Sequence, residues 1–576
     1  MPPFNFSGVW QLGLLLASIA FLVKPLGQYI VRVYSGQNVL LDVILEPVED
    51  IFYRIANINP SKEMSWQQYA GAVLTAGLGG FLLLYAILKC QAYLPLNPQG
   101  FANLSDDLAF NIAASFTTNT NWQSYVPELT LSHFSQMFGL TVQNFLSASM
   151  GMAVGMALIR GIARKNCTVI GNFWVDWLRG TLYILLPLSL IVSLLLGSLG
   201  VIQNFNADVI ALNLESTATS IPGGPVASQI AIKQLGSNGG GFFNANASHP
   251  FENPNAITNF IELLSILLIP CAFCYAFGVM VNHQRQGWAI LLAMTLIFIP
   301  LYFFALGQEQ KGNDLLSTLA VEQRANDTQS GGNMEGKEVR FGITSSVLWA
   351  SATTATSNGS VNSMHDSYTP LGGLVLLLFM MLGEIIYGGV GTGLYGIIIF
   401  IIVTVFIAGL MVGRTPEYLG KKIQAYEIKM ASLCVLLPVM TTLFGTTLAI
   451  MTTQGTSSML NPGSQGFSEI LYAFTSASAN NGSAFAGLNS NTPFYNLLLG
   501  ICMLVNRYWA MIFVLAISGS LATKNHTPST SGTLRTDTGL FIIFLVGIIM
   551  MVGLLTYIPT LTLSAISEYF LMVSMQ

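Results

Sequence analysis

Ten separate stretches of this 576-residue chain are apolar for long enough to cross a bilayer as helix, at about residues 8–30, 68–92, 136–162, 178–201, 257–281, 287–307, 371–412, 428–453, 495–521 and 539–561. A hydrocarbon core ~30 Å thick takes about 20 residues of helix, and a backbone inside it has to satisfy its own N–H and C=O groups. The fold class that follows is an all-α polytopic membrane protein. Composition agrees, since only 8% of residues are charged where soluble domains carry about 25%. The seventh run is about twice the required length and contains "GEIIYGGVGTGLYG", which predicts two half-helices joined by a coil. The first run leads into Lys24 and Pro25 with no small-residue cleavage site behind it, and reads as a retained helix. Cys271 and Cys274 form a C-x-x-C inside an apolar helix, where packing is the better reading than metal or redox chemistry.

Lys and Arg in the short loops set orientation. With the N-terminus outside, fourteen of them fall on inner loops and helix ends and six on the outer side, four of the six in loop 308–342. The bias predicts both termini outside. It also makes loop 308–342 an exposed cap without chemistry of its own.

Four short polar coils interrupt this apolar pattern. They are "FTTNTNWQSY" around Asn119, "LGSNGGGFFNAN" around Asn238, "ATSNGSVNSM" around Asn358 and "SANNGSAFAG" around Asn481, stepping by 119, 120 and 123 residues. A near-constant period marks an internal repeat. Each coil follows a run too short to span, at 105–117, 225–236, 343–355 and 466–477, and each is flanked by full-length spans. The unit is therefore long helix, short helix, coil, long helix. Repeats at 67–165, 174–284, 287–425 and 426–524 surround a pseudo-fourfold axis, with an extra helix in 1–35 and another in 538–576.

Non-helical backbone at membrane depth survives only where protein buries it or it lines a wet cavity. Four coils on one axis fit a ring of backbone carbonyls that replaces the hydration shell of a monovalent cation. The candidate ring is Thr118, Asn119 and Thr120; Ser237, Asn238 and Gly239; Ser357, Asn358 and Gly359; and Asn480, Asn481 and Gly482. Gly after Asn in three coils permits positive φ, and Thr120 stands in that place in the first coil. Hardly any basic residue lies near the coils, so the ion is K⁺ in preference to an anion. His249, Glu252, His365 and Asp366, which follow the second and third coils, read as solvated or capping residues.

Two ionisable residues stand where lipid should be, Glu384 and Arg507. Such residues mark an ion path or gate and usually have a partner. Arg507 would set an electrostatic barrier below the ring, and Glu384 would compensate it beside the glycine-rich break that includes Gly389, Gly391 and Gly393. Gln123 would face the same vestibule. The G-x-G-x-x-G formed by Gly391, Gly393 and Gly396 has no strand before it and does not read as a nucleotide site. No Walker or Asp-Lys-Thr-Gly motif occurs, so no catalytic residue and no organic cofactor are assigned.

The segments "TNTNWQSY", "GSNGGGFFNANASHPFENP", "MEGKEVRFG", "GRTPEYLGKK" and "NNGSAFAGL" closely resemble the potassium-binding subunits of the Kdp potassium-transporting ATPases. The resemblance implies a four-repeat potassium transporter that binds external K⁺ in a selectivity filter. It also implies a separate P-type ATPase subunit that hydrolyses ATP and two small accessory membrane subunits, all in the bacterial inner (plasma) membrane. It supports the roles suggested for Gln123, Glu384 and Arg507 and a gating loop in the third repeat. The family's third filter usually carries Cys-Gly-Ala, whereas this chain has Asn358, Gly359 and Ser360. A stand-alone four-repeat K⁺ channel or symporter is the alternative, and the Kdp-like motifs outside the coils weigh against it.

Overall fold

Polar residues that open several of the helices account for where the chain enters regular structure. Ser65 accepts the Gln68 N–H in a capping box, Asn255 caps Ile257 and Thr258, and Thr369 and Thr492 cap helices whose first residue is proline. The computed structural model describes residues 6–574 except 213, 216, 318, 320, 327–330 and 529–533. The ends of the terminal segments 1–35 and 538–576, and part of loop 308–342, lie outside the described residues.

The chain runs through α1 (Phe6–Tyr34), α2 (Asp42–Ile55), α3 (Trp66–Cys90), α4 (Asp106–Thr117), α5 (Ser135–Ala163) and α6 (Phe173–Ser198). A two-stranded antiparallel hairpin follows, β1 (Val209–Leu212) with β2 (Ala218–Ile221). Next come α7 (Val226–Leu235), α8 (Ala256–Met280), α9 (Gln284–Lys311), α10 (Gly342–Ala355), α11 (Pro370–Met381) and α12 (Thr392–Val412). A second short hairpin, β3 (Glu417–Tyr418) with β4 (Lys421–Lys422), leads to α13 (Ala425–Met451), α14 (Ser464–Ser478), α15 (Pro493–Thr523) and α16 (Gly539–Leu561). Ten helices among the described residues are long and apolar enough to cross a membrane.

The expected unit recurs four times, as α3–α4–α5, α6–α7–α8, α9–α10–α11/α12 and α13–α14–α15. Each short helix packs against the first long helix of its own unit, and also against the last long helix of the unit before it: α7 on α5, α10 on α8, α14 on α11 and α4 on α15. The last of these joins the fourth unit to the first, so the arrangement closes around a pseudo-fourfold axis. The seventh apolar run is broken as its length requires, into α11 and α12 with coil 382–391 between them.

Close helix contacts are made through small residues. A Cβ on Gly287 of α9 would lie 3.1 Å from the Cys274 carbonyl carbon of α8, which explains the buried Cys274 as a packing residue. The amphipathic helix α2 was not legible as a span. Glu49 and Tyr53 face the protein, where Arg179 pairs with Glu49 at 2.7 Å, while Ile44, Val48, Ile51 and Ile55 are exposed.

Candidate functional site

The four short helices all stop at the middle of the molecule, and the residues that stop them set the register of the coils. Two residues beyond the C-caps Thr118, Gly236 and Ala479, the N–H groups of Thr120, Asn238 and Asn481 each reach back to a carbonyl five residues earlier, at 2.9 Å. The residue before each is left-handed: Asn119 at φ 67°, Ser237 at 47° and Asn480 at 53°. Counted from the C-cap Thr356, the matching residue of the third coil is Asn358. The first coil is therefore shifted by one from the sequence alignment, with Thr120 rather than Asn119 matching Asn238, Asn358 and Asn481. Asn121, at φ 54°, takes the place filled elsewhere by Gly239, Gly359 and Gly482. Positive φ holds at Gly239 and Gly482 but not at Gly359. Glycine is needed there for a different reason, since a Cβ on Gly359 would lie 2.6 Å from the Gly482 carbonyl carbon and 2.7 Å from the Asn481 oxygen.

The coils meet in a closed ring. A Cβ on Gly239 would run into the backbone of Gly359, one on Gly359 into Gly482, and one on Gly482 into the Thr120 carbonyl oxygen, while a Cβ on Gly240 would sit 3.1 Å from the Asn121 oxygen. Side-chain amides bind the ring from behind. Asn121 donates to the Gly239 carbonyl at 2.8 Å and Asn119 to the Ser237 carbonyl at 3.0 Å. Asn358 donates to the Lys233 carbonyl, Ser357 to the Asn480 carbonyl at 3.0 Å, and Asn481 to the Thr353 and Thr356 carbonyls. Asn480 closes the circle on the Thr120 hydroxyl at 2.9 Å. All of these ring residues are buried, Asn480 being the most exposed of the asparagines at 5%. Most side-chain amides and hydroxyls hold neighbouring groups, the Asn121 and Asn238 side-chain oxygens being left without a partner, and the closest approaches between coils are backbone. Packed backbone oxygens of this kind can replace water around a dehydrated monovalent cation.

On one side of the ring a cavity of about 580 Å³ is lined by Asn121, Gln123, Gly240, Gly359, Gly482 and Ser483 among others, with no Lys, Arg, Asp or Glu in its wall. Gln123 is half-buried there and clasps Gly241 in both directions, accepting its N–H at 2.9 Å and donating to its carbonyl at 3.2 Å. Coil 382–391 abuts the third coil of the ring. A Cβ on Gly389 would be 2.7 Å from the Ser357 Cβ, and Gly391 rests on the backbone of Gly151 in α5. Gly393 folds back onto Tyr387 and Gly388. Glu384 and Tyr387 in this coil are left-handed at φ 57° and 61°, conformations that non-glycine residues adopt at a cost.

Arg507 lies on α15 directly below, 3% exposed, and donates to the Ser147 carbonyl at 3.4 Å. Arg507 and Glu384 make no direct pair. No ion pair within 4.0 Å joins them among the described residues, and one oxygen of Glu384 has no hydrogen-bond partner. They act on each other through space only. Ser147 links the levels, because its hydroxyl also donates to the Asn119 side-chain oxygen at 2.8 Å.

Several outer residues differ from their sequence reading. Glu252 and His365 are buried, not solvated: Glu252 pairs with Lys233 at 2.6 Å, and the His365 ring meets the Tyr472 hydroxyl at 2.8 Å. Burial, and then the nearby Lys337 charge, pushes the His365 imidazole down to about 3. His249 is partly buried, stacked on Phe243 with ring centres 4.0 Å apart. Asp366 accepts from Gln465 at 2.6 Å, and burial raises its carboxyl. Loop 308–342 is not merely an exposed cap, since its Lys337 forms a fully buried pair with Glu309 at 2.8 Å and its Asn333 bonds Glu309 and Ser367. Lys233 is the basic residue that the coils were expected to lack. It belongs to short helix α7 and is 1% exposed.

The model of the family described as "Potassium-transporting ATPase A subunit" matches residues 13–570. The chain is 56% identical to a "Potassium-transporting ATPase potassium-binding subunit" of Sorangium cellulosum, over 98% of this chain and 99% of that protein. Proteins of the same description from Herpetosiphon aurantiacus and Methylococcus capsulatus are 55% and 54% identical over 98% of this chain. Among solved structures, the potassium transporter TrkH from Vibrio parahaemolyticus has a TM-score of 0.49 at 14% identity, covering 86% of this chain and 97% of that one. With nearly its whole length matched and more than half its residues identical to those of such proteins, the chain belongs to the potassium-transporting ATPase A-subunit family.

Proposed function

We propose that the four-coil ring is the K⁺ selectivity filter of an ATP-driven potassium uptake system. The observation that carries this reading is the closure of the ring, in which the backbones of Gly239, Gly359, Gly482 and Thr120 approach one another and the Asn121 amide ties the first coil to the second. The C-terminal ends of four short helices converge on it, and the negative ends of their dipoles favour a cation. The chain's part is non-catalytic: it takes K⁺ from the outer cavity and passes it on while a P-type ATPase partner hydrolyses ATP, with two small membrane subunits completing the assembly. K⁺ is the cargo. The Lys and Arg bias supports an orientation with both termini outside, in the bacterial inner membrane. Coil 382–391 and Arg507 lie directly under the ring, which supports their reading as gate and electrostatic barrier. The test is to purify the chain with its partners and titrate ATP hydrolysis with K⁺ and with Na⁺. Stimulation by K⁺ alone supports the proposal, and hydrolysis indifferent to K⁺ removes it.

A further inference from the structure

Three junctions of the ring are fastened by neutral amides and hydroxyls alone, but behind the junction between the second and third coils stands a buried ion pair. Lys233, in the last turn of α7, gives its ammonium to the Glu252 carboxylate at 2.6 Å and to the Asn246 side-chain oxygen at 2.8 Å. That same Asn246 oxygen accepts from the Ser360 hydroxyl of the third coil at 3.1 Å. The carbonyl of Lys233 takes the Asn238 N–H at 2.9 Å and faces the Asn358 amide across the junction. Glu252 holds the return of the second coil through the Phe243 N–H at 2.8 Å. The neighbouring Gln234 donates to Ser360 at 2.9 Å and to Glu262 at 2.8 Å. Neither Lys233 nor Glu252 reaches solvent.

An ammonium this close to a cation site opposes its occupancy unless a negative charge stands beside it, and burial keeps salt from screening either one. We propose that Glu252 is a charge-balancing and positioning residue for the filter: Lys233 fixes the Asn246 side chain on which Ser360 of the third coil rests, and Glu252 cancels the charge that this brings. The inference rests on the filter reading. It assigns to a residue outside the ring a direct influence on how strongly the ring holds K⁺.

The test uses the assembled complex and the K⁺ concentration that half-saturates ATP hydrolysis. Glu252→Gln keeps the shape but only one acceptor oxygen, so it retains one of the two bonds from Lys233 and Phe243 and leaves the ammonium unmatched. A unit charge at ~10 Å in a medium of effective permittivity ~20 changes binding by on the order of tenfold, so half-saturation is expected to rise about tenfold and to be insensitive to added choline chloride. Adding Lys233→Met to that variant removes the unmatched charge and is expected to bring half-saturation back toward the wild-type value. Were the pair only a structural clamp, the double variant would be worse than the single one, because it loses more bonds, and that order of effects overturns the proposal. A single variant within twofold of wild type also overturns it. If Glu252→Gln does not assemble, assembly of the double variant with near-wild-type K⁺ dependence supports charge balance, and its failure to assemble counts against it. Gly359→Ala, measured alongside, separates the two readings: a shift there with none at Glu252 leaves the filter standing and removes only the role of the pair.

Discussion

Replacing Gly359 by alanine adds one methyl group at the tightest point of the ring. The backbone φ of Gly359 lies outside the left-handed region, so alanine brings no torsional penalty and the effect is steric alone. The new Cβ would stand 2.6 Å from the Gly482 carbonyl carbon and 2.7 Å from the Asn481 oxygen, where ordinary contact begins at 3.4 Å. One coil has to retreat by about 0.8 Å. The third coil is also held by Trp349, which donates to the Ser360 carbonyl at 2.8 Å, and by Gln234, and the fourth coil by Ser357, Asn480 and Asn481. Overpacking of this size costs ~1–3 kcal/mol. If that cost falls on the ion-bound geometry, half-saturating K⁺ rises by about 5- to 150-fold. The assay is K⁺-stimulated ATP hydrolysis in the purified complex. Gly13→Ala in α1 is the control, since a Cβ there meets nothing within 4 Å. An assembled Gly359→Ala complex whose K⁺ dependence matches that control would refute the assignment of this ring as the binding site.

Arg507→Met is expected to leave K⁺ binding in place while raising passive K⁺ flux across proteoliposomes without ATP, and an unchanged leak would remove the barrier role. Lys337→Met strips the partner from the fully buried Glu309, which should cost about 3–5 kcal/mol, seen as a lower thermal midpoint in detergent and relieved by adding Glu309→Gln. His365 is neutral in the folded protein down to about pH 3, whereas an unfolded histidine titrates near 6.5. The depressed value means that its contribution is complete above pH 6.5 and falls away by about 1.4 kcal/mol per pH unit as pH drops from 6.5 toward 3. The groups facing it are Lys337, Tyr368 and Tyr472. His365→Gln should flatten the dependence of the thermal midpoint on pH in that window, and an unaltered slope would place the acid sensitivity elsewhere.

How much of this was legible in the sequence follows from what each residue has to satisfy. Membrane spans are constrained by length and apolarity, and all but the seventh, which spans only over Thr392–Val412, lie within a few residues of their expected limits; the short helices match to within two residues, as with 466–477 against Ser464–Ser478. The break in 371–412 could be read because no single span needs that many residues. The register of the first coil could not. "TNTN" offers two asparagines, and the choice is made by the hydrogen bond from Thr120 back to Ser115, which depends on where α4 ends. Lys233 was missed because counting basic residues by loop treats each one as solvated, and its partner Glu252 lies 19 residues further on. Glu252 and His365 were misread for the same reason. Helix α2 escaped a search for spans because it is short and carries Asp42, Glu46, Glu49, Asp50 and Arg54, although Ile44, Val48, Ile51 and Ile55 recur at helical spacing.

The departures from fourfold symmetry gather in one place, and that has a mechanical consequence. The third coil lacks the left-handed residue that turns the other three, its glycine is held by contact rather than torsion, and a buried ion pair, Lys233 with Glu252, stands behind its boundary with the second coil. Beneath it lies the one broken span, whose Gly389 abuts Ser357, while Ser357 in turn holds the Asn480 carbonyl of the fourth coil. Any movement of coil 382–391 that opens a path below the ring therefore acts first on Ser357, and through it on the neighbouring coil. A ring of four equal parts would spread such a displacement evenly. Here the first and second coils are tied to each other and to α5 by Asn119, Asn121, Asn144 and Ser147, which leaves the third coil, on the proposed reading, as the part placed to link ion occupancy to a gate.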